Sequence, residues 1–321
     1  MKRIVVLGGS GFVGTSLCEQ LVACPELAGV SVVVPTRRRS QARHLLTLPA
    51  VHVQEGSVHD DATLASMLRG ADVVINLIAI LHGSARDFEQ VHVELPRKLA
   101  AACQREQVGR VIHVSALGVP SQPEQAPSRY LQTKARGEQV WRQSGLAVTL
   151  LRPSVIFGAR DRFLNLFAEL QAVLPVVALA GAEARFQPVW VEDVARAIVR
   201  CVLDPRTAGQ IIECAGPQVY TLADLVRVAG RCSGHPRPVL PVSDVVGRMQ
   251  ALMLSALPGE PLMSGDNLDS MKVPNVATGS LPGLASLGIE PASLEAIGPT
   301  YLRRGESWAE RLNAWRARAG R

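Results

Sequence analysis

Lys2-Arg3-Ile4-Val5-Val6-Leu7-Gly8-Gly9-Ser10-Gly11-Phe12-Val13-Gly14 is the stretch whose reading decides the fold. Four consecutive aliphatic residues mark a strand buried on both faces. The glycines follow without a spacer, and a helix-like stretch, Phe12 to Cys24, opens behind them. In a strand–turn–helix unit, glycines let the chain turn tightly and bring backbone N–H groups against a pyrophosphate at the positive helix end. The last glycine lets helix and strand pack closely. The spacing is GxxGxxG, at Gly8, Gly11 and Gly14, not GxGxxG, so its position between strand and helix gives it its weight. Gly8, Ser10, Gly11, Phe12, Val13 and Gly14 are the first candidate contacts for a dinucleotide.

Working outward, Val/Ile-rich runs at Val30–Pro35, Val51–Glu55, Asp72–Leu77, Arg110–Ser115 and Ala147–Leu151 alternate with helical patterns, clearest at Asp87–Gln107 and Ser128–Ser144. Alternation of this kind predicts right-handed crossovers and a doubly wound parallel sheet, an α/β Rossmann fold. The rhythm breaks after Pro153. A helix is expected from Asp161 to Leu174, a brief strand at Pro188–Val191, a helix at Glu192–Leu203 and a strand at Gln210–Ala215. Thr221-Leu222-Ala223-Asp224 reads as a capping-box start to a helix reaching about Arg231. The expected organisation is a dinucleotide-binding domain over 1–155, rejoined by elements near 187–215. Residues 156–321 form mainly a smaller substrate-side lobe whose Pro- and Gly-rich end packs as short helices and loops.

Val34-Pro35-Thr36-Arg37-Arg38-Arg39 ends the second strand, where an NAD-selective site carries an acidic side chain for the ribose hydroxyls. Arginines offer planar charged donors to a 2′-phosphate instead, so NADP(H) is favoured over NAD(H). Arg37 is the first choice for that contact and Arg38 the second.

The composition of 47% hydrophobic and 19% charged residues suits a globular chain with an aliphatic core. A net charge of +6 is spread as scattered arginines, with one concentration, Arg303 to Arg321, which argues against nucleic-acid binding. Cys18, Cys24, Cys103, Cys201, Cys214 and Cys232 show no CxxC spacing, so neither a metal site nor a redox pair is expected. No signal-peptide pattern or run of about 18 apolar residues occurs, so the expected location is cytoplasmic, with peripheral contact at the inner membrane as the alternative.

Tyr130-Leu131-Gln132-Thr133-Lys134 places a phenol and an ammonium on one helix face. With three tyrosines and four lysines in 321 residues, chance supplies only about 0.04 such pairs. A lysine near the nicotinamide ribose is expected to lower the phenol's pKa and make Tyr130 a general acid or base. With Ser115 and Arg152-Pro153-Ser154-Val155-Ile156-Phe157-Gly158, these motifs resemble the extended and atypical short-chain dehydrogenase/reductases. More narrowly, Tyr130–Glu138, Ile156–Asn165 and Gln187–Val194 resemble the NADPH-binding large accessory subunit of mitochondrial complex I and its bacterial relatives, over about residues 1 to 235.

That resemblance implies NADPH across the carboxyl edge of the sheet, with Pro153, Val155 and Ile156 beside the nicotinamide. Leu77, Ile78 and Ala79 then line the cofactor, Ser57 and Val58 lie towards the adenine, and Tyr130 and Lys134 contact the cofactor as well as the substrate. Two departures stand out: Ser115 is followed by Ala116 where reductases of the group carry a second hydroxyl, and Gly56-Ser57 replaces a Gly-Asp pair. The readings are an oxidoreductase acting on a carbonyl, hydroxyl or quinone-like group, with Tyr130, Lys134 and Ser115 as its catalytic set; a non-catalytic NADPH-binding subunit of a respiratory or quinone-related assembly; and a sugar-nucleotide-type epimerase or dehydratase. A stripe of Val245, Val246, Met249, Leu252, Met253, Leu254 and Leu257 also suggests peripheral membrane contact with an isoprenoid or quinone-like substrate, a weaker reading, since core or lid packing is the more frequent meaning of such a face.

Overall fold

Ile4 and Val6 of strand β1 (Arg3–Leu7) enter one hydrophobic cluster and Val5 and Leu7 another, which is why the run is apolar without alternation. Each such side chain contributes about 1.5–3 kcal/mol when fully buried. The computed structural model describes residues 2–243, 245–249 and 264–302. Leu252, Met253, Leu254, Leu257 and the arginines from Arg303 onward lie outside the described residues.

The sheet also contains β2 (Ser31–Thr36), β3 (Val51–Glu55), β4 (Val73–Asn76), β5 (Arg110–Val114), β6 (Val148–Pro153) and β7 (Ile211–Cys214). Their order is β3-β2-β1-β4-β5-β6-β7, and every pairing is parallel. The chain winds outward from β1 to β3, then restarts beside β1 with β4. This reversal leaves a crevice between the carboxyl ends of β1 and β4, where doubly wound sheets bind ligands.

Helices α1 (Phe12–Ala23) and α7 (Val191–Leu203) pack together on one face of the sheet, through Leu17, Leu21, Val194 and Ile198. On the other face lie α2 (Asp61–Leu68), α4 (Leu95–Arg105) and α5 (Arg129–Gln143), through Leu64, Leu99 and Trp141. Beyond the carboxyl edge, α6 (Leu164–Val173) and α8 (Leu222–Ser233) pack on each other with short strand pairs around them.

Several boundaries differ from those expected. The helix expected from Asp161 starts at Leu164, because the Asp161 carboxylate accepts from the N–H groups of Phe163, Leu164 and Asn165 at 2.9, 2.7 and 3.1 Å. Satisfying those orphan donors is a terminal role, not an interior one. The helix expected at Asp87–Gln107 begins earlier, on a Ser84–Asp87 capping box. It is interrupted by a π-turn, Gln90–Glu94, between α3 (Ala85–Glu89) and α4. The Thr221–Asp224 capping box forms as expected, and α8 runs on to Ser233. Residues expected to be loop or lid supply a parallel strand pair, Val177–Ala180 with Val239–Val242. All six cysteines are free thiols. Among the described residues no helix is long and apolar enough to cross a membrane, and none of their His, Cys, Asp and Glu side chains cluster for a metal.

Candidate functional site

At the carboxyl end of β1, Gly8 has φ +81°, a left-handed conformation that favours glycine. A Cβ on Gly14 would lie 2.4 Å from the Gly8 carbonyl oxygen, so the helix can approach the turn only without one. The Gly11 N–H bonds the Gly8 carbonyl at 3.0 Å, and α1 starts from Gly11 with no side chain capping it. Its first N–H groups therefore remain available to an anion. Gly11 is exposed, and Ser10, Phe12 and Val13 are half-buried around it. Leu77 and Ile78, leaving β4, close one side: a Cβ on Gly8 would meet them at 3.2–3.3 Å. Ile78 is fixed by its N–H bond to Asn76 Oδ1 at 3.1 Å, and Asn76 Nδ2 donates to Nδ1 of buried His113 at 3.1 Å. Ala79, next along, is exposed.

Arg37 and Arg38 are exposed where β2 ends. Thr36 Oγ1 fixes the turn by bonding the Arg38 N–H and carbonyl at 3.3 and 3.1 Å. Neither guanidinium has a carboxylate partner among the described residues, so both are open to an anionic ligand. Ser57 is half-buried and its Oγ accepts from the His59 N–H. The Val58 side chain lies in the hydrophobic core, which leaves only its backbone for a ligand.

At the carboxyl end of β5, Ser115 Oγ is buried without a hydrogen-bond partner. Such groups are uncommon in folded proteins and are expected where a ligand completes the bonding. Lys134 is 2% exposed, and its Nζ donates to the Val114 carbonyl at 3.1 Å while lying 5.9 Å from the Tyr130 ring centroid. Desolvation lowers its pKa to about 8, opposed by the Glu138 carboxylate one turn on. Glu138 is itself held by Arg152 through bonds of 2.9 and 2.6 Å.

Burial pushes the Tyr130 phenol upward, so the expected lowering by lysine does not dominate. A phenol that stays protonated is suited to giving a proton rather than taking one. Pro153 is buried, and Val155 and Ile156 are half-buried on the same edge. The Pro153 carbonyl accepts from the Leu117 N–H at 2.9 Å. Tyr130, Lys134, Ser115 and Pro153–Ile156 thus share the β5–β6 end of the crevice, while Arg37, Arg38 and Ser57 share the β2–β3 end.

Sequence reasoning missed His92. Its Nε2 accepts from the Ile80 N–H at 3.2 Å, so the proton sits on Nδ1, which lies 3.0 Å from Thr133 Oγ1. The ring meets Tyr130 edge-on at 5.5 Å, and desolvation drives its pKa far down, keeping it neutral. The π-turn that carries it brings its carbonyl to α5 at Gly137, where a Cβ would stand 2.1 Å away. No spacing in the sequence signals this. A concavity lined by Arg200, Leu203, Asp204, Arg206, Ser286 and Leu287 shares none of these residues.

A family model described as NAD(P)H-binding matches residues 8–205, and the chain belongs to that family. Within it, the chain is 32% identical to the mouse mitochondrial NADH dehydrogenase [ubiquinone] 1 alpha subcomplex subunit 9, over 94% of this chain and 80% of that protein. It is 30% identical to the NADH-ubiquinone oxidoreductase 40 kDa subunit of Neurospora crassa, over 93% and 78%. A ketoreductase of Stigmatella aurantiaca, acting by its name on a farnesylated dihydroquinoline oxide, is 27% identical over 69% of this chain and 68% of its own length. Among solved structures, dTDP-glucose 4,6-dehydratase from Streptomyces venezuelae with NAD bound superposes with a TM-score of 0.73 at 23% identity, covering 98% of each chain. At that identity the likeness is one of fold.

Proposed function

We propose that this chain holds NADP(H) in the crevice between β1 and β4 and retains the groups for proton transfer to a carbonyl or quinone-like oxygen. The residues fit the cofactor: the glycine turn leaves the α1 amides open, and the unpaired Arg37 and Arg38 suit a 2′-phosphate better than free ribose hydroxyls. Pro153, Val155 and Ile156 flank the nicotinamide, Leu77–Ala79 line its approach, and Ser57 with the Val58 backbone lies towards the adenine. The cofactor, when bound, supplies a hydride.

The single observation that carries the catalytic half is the buried Lys134 beside Tyr130, its Nζ on the carbonyl of Val114, the residue before the unpartnered Ser115 hydroxyl. Ser115 donates to the substrate oxygen and holds it in place. Tyr130, protonated at neutral pH, delivers the proton to that oxygen, and the Lys134 ammonium stabilises the phenolate left behind. An apolar surround of Ala116, Val119 and Val273 excludes water and favours a hydrophobic carbonyl substrate, a choice that the Stigmatella relative's printed name supports.

A second reading is favoured by Ala116, which removes one donor from the expected hydroxyl pair, and by the two relatives named as mitochondrial subunits of an NADH dehydrogenase [ubiquinone] and an NADH-ubiquinone oxidoreductase. In it the chain is a cofactor-bound structural subunit of a respiratory or quinone-related assembly at the inner membrane. The test is oxidation of NADPH, followed at 340 nm, against quinones, aldehydes and ketones. Tyr130→Phe is expected to lower turnover by about 10²–10⁴-fold, far more than it weakens NADPH binding. Tight NADPH binding with no oxidation of any of them establishes the structural reading instead.

A further inference from the structure

Residues 264–278 lie outside the segment that the family model matches, yet they reach both reactive elements of the site. At one end, Asp266 accepts from the backbone N–H groups of Arg129 and Tyr130, at 2.8 and 3.1 Å, one on each carboxylate oxygen. Ser270 Oγ lies 2.8 Å from Oγ of Ser128, the residue that caps α5. The helix carrying Tyr130 and Lys134 therefore takes part of its N-terminal satisfaction from a residue 136 positions away. In the middle, Val273 packs against the same buried cluster as Tyr130, formed by Ala116, Val119, Ala126, Leu131 and Ala135, and lies 3.2 Å from where a Cβ on Gly118 would stand.

At the other end, Asn275 Oδ1 accepts from the Val155 N–H at 2.8 Å and from Ser154 Oγ at 2.7 Å. Asn275 Nδ2 reaches the Leu117 carbonyl at 3.5 Å, and its backbone joins Arg185 and Gln187 at 2.8 and 3.0 Å. One residue thus ties the turn after β6 and the loop after β5, through its side chain, to a strand of the outer lobe, through its backbone.

We propose that Asn275 and Asp266 are positioning residues, and that through them this strap sets the turn flanking the nicotinamide against the Tyr130 helix. The inference rests on the dinucleotide reading above and says which end of the ligand depends on the strap. Adenosine-side contacts lie at β1–β3, out of its reach, whereas Ser154 and Val155 of the Pro153–Ile156 turn bond Asn275 directly. Loss of the Asn275 side-chain acceptor frees the Val155 N–H and leaves Ser154 Oγ only the Asn275 backbone carbonyl, at 3.0 Å, which loosens that turn and weakens only ligands that occupy it. A side chain with a purely structural role would weaken every ligand alike.

The experiment compares full-length protein binding NADPH and 2′,5′-ADP, which carries the 2′-phosphate but no nicotinamide. Asn275→Ala is expected to weaken NADPH about tenfold and 2′,5′-ADP by no more than about twofold. Asn275→Asp keeps both acceptor contacts and is expected to restore NADPH to within about threefold of wild type. Asp266→Ala is expected to show the same asymmetry at about threefold. Unchanged NADPH binding in Asn275→Ala, or parallel losses of both ligands with no recovery in Asn275→Asp, overturns the proposal. Should Asn275→Ala fail to bind 2′,5′-ADP, Asn275→Asp decides: near-wild-type NADPH affinity upholds the positioning role and a tenfold loss removes it. If wild-type protein binds neither ligand, the dinucleotide reading itself falls, an outcome distinct from symmetric losses among variants.

Discussion

Lys134 is the residue on which the site's electrostatics turn, because its burial brings an ammonium into a range where it titrates near neutrality. Its pKa is lowered to about 8, so the charged form prevails below that pH and is lost above it. If the ammonium stabilises the phenolate that Tyr130 becomes, reductive turnover should hold steady at lower pH and decline as pH rises through about 8. Lys134→Arg, which stays charged, should move that decline to higher pH even if its absolute rate is lower. A pH–rate profile checks both, and a profile flat from 7 to 10 in wild type would remove Lys134 from this role. The adjacent histidines do not confuse the reading, because burial and the Lys134 charge lower the pKa of both His92 and His113. The Lys134 charge is also favoured by the Glu138 carboxylate, which Arg152 holds in place through two hydrogen bonds. Replacing Glu138 by Gln should cost about 3 kcal/mol in urea unfolding, because Arg152, its side chain only 13% exposed, is left without a charge partner.

Among the elements, the β1–turn–α1 unit is the most tightly specified, and its failure mode is steric. Gly14→Ala would place a methyl 2.4 Å from the Gly8 carbonyl and 2.5 Å from Gly9 Cα, backbone atoms with no freedom to retreat. The substitution should destabilise the fold by about 1–3 kcal/mol and abolish dinucleotide binding, as denaturation and titration would report. This unit, and the Tyr130–Lys134 pair on α5, were legible because their signals are local: a glycine spacing and an i,i+4 pair survive in one dimension. The alternation of strand and helix was legible for the same reason, since continuous apolar runs announce strands covered on both faces. Asp161 misled because a carboxylate that caps a helix and one that lies inside it have the same neighbours in sequence. The π-turn at Gln90–Glu94 left no periodic trace, and with it went the role of His92.

Across the whole molecule, the contacts that sequence could not foretell are the long-range ones. Asn275 sits among closely spaced prolines and glycines, where no periodicity exists, yet it lies within hydrogen-bonding distance of Ser154, Val155 and Leu117. Asp266 caps a helix more than a hundred residues earlier. Such ties exist only once the outer lobe has docked on the sheet, so they belong to tertiary structure alone. What unifies the molecule is the crevice at the switch point between β1 and β4, with open helix amides at its centre, guanidiniums at the β2 end and Tyr130 at the β5–β6 end. The measurement that tests this arrangement most directly is calorimetric titration of the purified full-length chain with NADPH and with NADH, repeated on Arg37→Ala/Arg38→Ala. The account predicts saturable NADPH binding, weaker binding of NADH, and a double variant that loses about tenfold or more for NADPH while hardly changing for NADH. No heat with either dinucleotide, or equal losses for both in the variant, would contradict it.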